Sequence, residues 1–129
     1  MSLIIRDVTD ILYRKANLDI RMPSGIIETT RVQQGFGAIS NFPSVIGAVD
    51  GSHIPIKAPV GDEEVFVNRK HFHSINMQVV CNERKQIIDY CVRFPGSTHD
   101  AFIWSNSHIF RRFQQGEFGD GVLLGKCIV

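Results

Sequence analysis

Asp50 and Asp100 are the two residues whose type and position suggest chemistry. Asp50 closes the continuous apolar run Val45-Ile46-Gly47-Ala48-Val49, which reads as a strand buried on both faces. A carboxylate at the end of such a strand sits where α/β sheets place their sites. The same Asp50-Gly51 pair also reads as a tight-turn dipeptide. Asp100 follows fifty residues later, after Pro95-Gly96-Ser97-Thr98-His99. There Ser97 and Asp100 satisfy a capping-box pattern with Asp in place of Glu, and an acid in a first helical turn suits the helix dipole. Both aspartates fall at ends of expected strands, where a sheet can bring them side by side. Two converging carboxylates repel unless a cation lies between them. Oxygen ligands of this kind select Mg²⁺ or Mn²⁺, ions that activate water and stabilise developing charge in phosphodiester cleavage.

One local basic cluster, Asn68-Arg69-Lys70-His71-Phe72-His73, interleaves cations with aromatic and imidazole rings. It can touch phosphates, and it equally reads as a solvated loop leading into a strand. His71 and His73 have no Cys or Glu at zinc spacing. Cys81, Cys91 and Cys127 cannot all pair within the chain and form no C-x-x-C arrangement; Cys81 reads as core filling. Trp104 reads as core rather than as a base-stacking platform, and Arg111-Arg112 as the solvent face of a helix that buries Phe110 and Phe113.

The elements that must position these residues follow from pattern. Leu3, Ile4, Val8, Ile11 and Leu12 recur at three- and four-residue steps, predicting an amphipathic helix over 3–18. Breaks at Arg21–Gly25 and Gly35–Gly37 leave Ile26–Gln34 as at most a second short helix. Then come the Val45–Val49 strand, a second strand around Ile54 and Ile56 that Pro55 confines to an edge or bulge, and a loop over Ala58–Glu64. Ser74–Cys81 and Ile87–Phe94 form a hairpin about the polar turn Asn82–Lys85. In the first of these strands Ile75, Met77, Val79 and Cys81 are expected to form the buried face. A helix from Ser97 carries Phe102 to Phe113, and Val122–Leu124 is a last short strand. The order specifies a mixed α/β sheet, with a helical segment at 1–42 preceding a core at 43–129 that is incomplete at its C-terminal end.

The chain has 129 residues, 43% hydrophobic and 21% charged, with a formal charge of +1. This composition fits one globular domain and argues against disorder. Near-neutral charge means that any nucleic-acid contact comes from a local patch rather than a global field. The uncharged stretch Gly35–Val49 is too short and too often broken to span a membrane, and the opening residues show no signal-peptide core. The protein reads as intracellular and unanchored.

Phe42-Pro43-x-Val45 through Ile56, Phe66-Val67-Asn68-Arg69-Lys70, Phe72-His73-Ser74-Ile75-Asn76 and Pro95-Gly96-Ser97-Thr98-His99-Asp100 together resemble the PIF/Harbinger transposases and the nucleases derived from them. The resemblance covers about Asp19 to Gly125. It implies an RNase H-like fold whose acids bind Mg²⁺ or Mn²⁺ and hydrolyse DNA by a two-metal mechanism. It implies Asp50 and Asp100 as metal ligands, Asn68, Arg69 and Lys70 near the substrate backbone, a separate Myb-like DNA-binding partner, and action in the nucleus with a cytoplasmic pool also allowed. In that family Leu-Leu-Gly is followed by Asp-Ser-Gly-Tyr and a later Glu. Here Leu123-Leu124-Gly125 is followed by Lys126, so a further metal ligand is expected to be missing. A catalytically inactive fragment that binds DNA or a partner is the rival expectation.

Overall fold

Leu3–Asp19 folds as helix α1, in keeping with its apolar steps. The computed structural model describes residues 2–125. Within them α1 buries none of its side chains. Helix α2 spans Gly25–Ser40, longer than the expected Ile26–Gln34. Gly35 and Gly37 each cost helix propensity, but packing overrides that cost. Phe36 between them is buried, and the Glu83 side chain lies so close over Gly35 that no Cβ would fit. The helix ends where Asn41 turns into the left-handed region.

Strand β1 runs unbroken from Val45 to Pro55, which corrects the expectation of two strands separated at Asp50-Gly51. No turn forms there, because both flanks pair. Residues 48–55 face strand β2 (Ser74–Cys81) antiparallel, and residues 45–49 face strand β4 (Val122–Gly125) in parallel. Asp50 therefore lies inside β1, one residue beyond the last β4 pair. Pro55 closes the strand, where its missing N–H breaks no further ladder. Strand β3 (Ile87–Pro95) completes the sheet in the order β3-β2-β1-β4. This is the mixed sheet with flanking helices expected of an RNase H-like domain.

Beyond Pro95 the expected single helix is two, α3 (Asp100–Ser105) and α4 (His108–Gln114). The break comes at Asn106-Ser107, where the Ser107 hydroxyl accepts from Phe110 N and donates to Trp104 O. Ile109 on α4 joins Met22, Ile46, Val49, Val80 and Ile88 in the core, with Trp104, Phe113, Phe118 and Leu123 packed against it. Trp104 thus packs on the core as expected. Arg111 is exposed, but Arg112 is not a free solvent residue. It grips Glu117 through two nitrogens and lies over the Phe118 ring.

The largest departure is the face that β2 buries. Ser74, Asn76, Gln78 and Val80 are buried, whereas Ile75, Met77, Val79 and Cys81 are half-buried. Polar groups tolerate burial when hydrogen-bonded, and α3 with its leading loop supplies acceptors on that side. One face of β2 therefore grades from polar at the Ser74 end to apolar at Val80. Two register shifts in the pairing with β3, opposite Met77 and beside Val80, interrupt the simple alternation of a strand along Ile87–Phe94. Val92 is left 40% exposed. Cys81 and Cys91 are free and half-buried, and Cys127 and Lys126 lie outside the described residues. Among the described residues no helix is long and apolar enough to cross a membrane.

Candidate functional site

Gly51 joins the two aspartates. On one side, Asp50 Oδ1 accepts from Gly51 N at 2.9 Å. On the other, the Asp100 carboxylate lies where a Gly51 side chain would be, so that a Cβ there would come within 2.6 Å of Asp100 Oδ1. Successive side chains of a strand point to opposite faces. Gly51 therefore lets the Asp100 carboxylate press against β1 on the face opposite the one from which the Asp50 side chain projects. The structure thus does not bring the two carboxylates side by side, contrary to the expectation from the sequence. Both carboxylates are exposed.

Asp100 reaches this place as the first residue of α3, directly after the N-cap His99. Its Oδ1 accepts from Asn76 Nδ2 at 2.9 Å, and the same nitrogen donates to Thr98 O at 2.9 Å. Ser97 makes no cap, contrary to the capping-box alternative. The turn is drawn tight by Gly96, whose N–H donates to Ser74 O at 2.8 Å and whose Cα leaves no room for a Cβ against Ser74 and Phe66 O. Ser74, wholly buried, is a hub: its hydroxyl meets His53 Nδ1 at 2.8 Å and accepts from Asn68 Nδ2 at 2.9 Å.

Asn68 is buried, and its carbonyl accepts from Lys70 N and Phe72 N. It organises the loop rather than facing outward. Arg69 and Lys70 are exposed, and Arg69 Nη2 donates to His99 Nδ1 at 2.7 Å, tying the basic loop to the start of α3. His73 turns away to Glu63, 2.9 Å from its Nε2.

A cleft of about 830 Å³ opens here. It gathers Asn68, Arg69 and Lys70 with Asp100, His53, His99 and Asn76; Asp50 flanks it through Gly51 without lining it. Among the described residues no group of three or more His, Cys, Asp or Glu side chains converges. Of the groups lining the cleft, the Asp100 carboxylate is a hard oxygen donor of the kind that suits Mg²⁺ or Mn²⁺, and His53 and His99 add imidazole nitrogens. Sequence reasoning identified Asp50, Asp100 and the basic loop but missed Asn76, Ser74, His53 and His99. The available signal was the run of polar residues at 74, 76 and 78, alternate positions of one strand.

The family described as DDE superfamily endonuclease matches residues 49–127, a span holding both aspartates, the basic loop and α3. The human protein named "Putative nuclease HARBI1" is 33% identical over 97% of the chain, and its frog counterpart from Xenopus laevis 27% over 96%. "Protein ALP1-like" of Arabidopsis thaliana is 25% identical over 67% of the chain and 22% of its own length. The chain spans 36% of the length of the HARBI1 relatives. No solved structure gives a significant match. With the family covering more than half of the chain, and with Harbinger-type motifs in order along it, the chain belongs to the DDE superfamily endonucleases.

Proposed function

We propose that this chain is part of a divalent-metal-dependent nuclease that hydrolyses DNA phosphodiester bonds, with Asp50 and Asp100 as ligands of Mg²⁺ or Mn²⁺. The observation that carries the reading is the Asp100 carboxylate held against Gly51, the residue after Asp50, in a cleft that Arg69 and Lys70 also line. A bound ion would supply an activated water and neutralise charge developing on the phosphate. The chain's own residues do the rest. Asp50 and Asp100 offer oxygen ligands from the sheet and from the first turn of α3, and Arg69 and Lys70 hold the nucleic-acid backbone. Following the family resemblance, the reading extends to a Myb-like DNA-binding partner and a nuclear site of action, which a pull-down and fractionation test.

The deciding experiment is plasmid nicking with Mn²⁺ by the chain and by Asp50→Asn and Asp100→Asn variants, beside calorimetric titration of Mn²⁺. Both substitutions are expected to abolish nicking and weaken Mn²⁺ binding. Undiminished nicking by either variant rejects its assignment. A second reading, DNA binding without turnover, is favoured because among the described residues no three His, Cys, Asp or Glu side chains come together to hold an ion. It predicts DNA retention by the parent with no nicking at all. In either reading Arg69→Ala and Lys70→Ala should each lower the slope of log affinity against log salt by about one. An unchanged slope removes that residue from the phosphate contact.

A further inference from the structure

Asn76 is 1% exposed in the middle of β2. Thr98 O can only accept, so the Asn76 atom 2.9 Å from it is the amide nitrogen, and that nitrogen is the one facing Asp100 Oδ1. The other end of the amide, Oδ1, is buried and bonded to no group among the described residues. An unsatisfied buried carbonyl costs on the order of 1–3 kcal/mol. Val80, on the same face, shows that an apolar side chain also packs there. The costlier residue sits where β3 carries an extra residue opposite Met77, the kind of irregularity that re-aims a neighbouring side chain.

We infer that Asn76 is the positioning residue of the Asp100 carboxylate. One amide hydrogen is anchored on Thr98 O, which fixes the plane of the amide, and the other holds Asp100 Oδ1 over Gly51. Oδ2, with no hydrogen bond among the described residues, stays available. Removing the amide frees Asp100 to swing away from Gly51 while leaving the residue itself intact. The inference deepens the metal reading above and rests on it only for the purpose of the placement.

The test uses the 129-residue chain with Asn76→Ala, the milder Asn76→Ser, and Ile75→Ala as control. Ile75 is half-buried on the opposite face of β2 and pairs with Ile54 and Pro95, so its loss loosens β2 away from Gly51 and the carboxylate. The amide resonance of Gly51 reports the position of Asp100 without any metal, and calorimetry reports Mn²⁺ binding. Both Asn76 variants should move the Gly51 resonance and weaken Mn²⁺ by about 10–100-fold, the usual effect of losing a partner that orients a ligand. Ile75→Ala should leave both close to the parent. The idea fails if folded Asn76 variants leave Gly51 unmoved, or if Ile75→Ala produces the same changes. Asp100→Asn provides a check that does not depend on how the Asn76 variants fold. It must shift the side-chain NH₂ signals of Asn76, and unshifted signals overturn the pairing. A parent that binds no Mn²⁺ defeats the metal reading alone, since the Gly51 and Asn76 resonances still decide the positioning.

Discussion

Gly51 has no free room for a side chain, because the atom opposing a new Cβ is a carboxylate oxygen already held by Asn76. Gly51→Ala must displace Asp100 or bend β1, a form of overpacking that costs about 1–3 kcal/mol. It should also lose Mn²⁺ affinity; an alanine variant that melts and binds like the parent would show that the carboxylate moves freely. A second prediction concerns Asp89, whose partial burial pushes its pKa from the ordinary 3.8 up to about 6, against the attraction of Arg112 and His108. An acid with a raised folded value binds its proton more tightly when folded, so its contribution falls as pH rises through roughly 4 to 6. Asp89→Asn should therefore melt above the parent at pH 7 and lose that advantage at pH 4, as thermal scans at the two values would reveal. Asp50 and Asp100 were legible because acids beside apolar runs stand out. Asn76 was not, since an amide within an alternating strand looks like its solvent face until the covering helix is known.

The elements were more legible in kind than in extent. The alternation of Ser74–Cys81 identifies a strand, yet period-two patterning does not say which face is covered. That is settled by the loop and helix after Pro95, whose Thr98 carbonyl and Asp100 carboxylate meet the polar side. The glycines of α2 and the Asp50-Gly51 pair misled for a common reason. Glycine signals a break by propensity, whereas here Gly35 and Gly51 serve close approach by Glu83 and Asp100. The division of α3 from α4 was hidden because Phe102 to Phe113 keeps a helical apolar spacing across it. What ends one helix and starts the next is Ser107, 1% exposed, accepting from Phe110 N and donating to Trp104 O. Ser107→Ala removes both bonds and should cost about 1–2 kcal/mol. A denaturant midpoint unchanged from the parent's would mean that backbone bonds alone cap α4.

At the scale of the molecule, the contribution of α1 to the core and to the site is small. Ile4, Ile11 and Leu18 are 74%, 64% and 76% exposed, and no α1 residue is buried. By contrast Met22, three residues past the end of α1, lies in the core beside Ile46 and Ile109. The first residue on which folding of the sheet depends is therefore beyond α1, although α1 has the cleaner sequence pattern. Amphipathic spacing reports that a helix has an apolar face, not that anything among the described residues covers it. A chain lacking residues 2–19 but keeping Met22 should then melt within about 2 °C of the parent, a difference below roughly 0.5 kcal/mol for a domain of this size. It should also self-associate less, because a contiguous exposed apolar stripe promotes association. Differential scanning calorimetry and light scattering at matched concentrations measure the two effects. A large fall in melting temperature would show that α1 supports the sheet, and unchanged scattering would show that its apolar stripe is not what brings copies together.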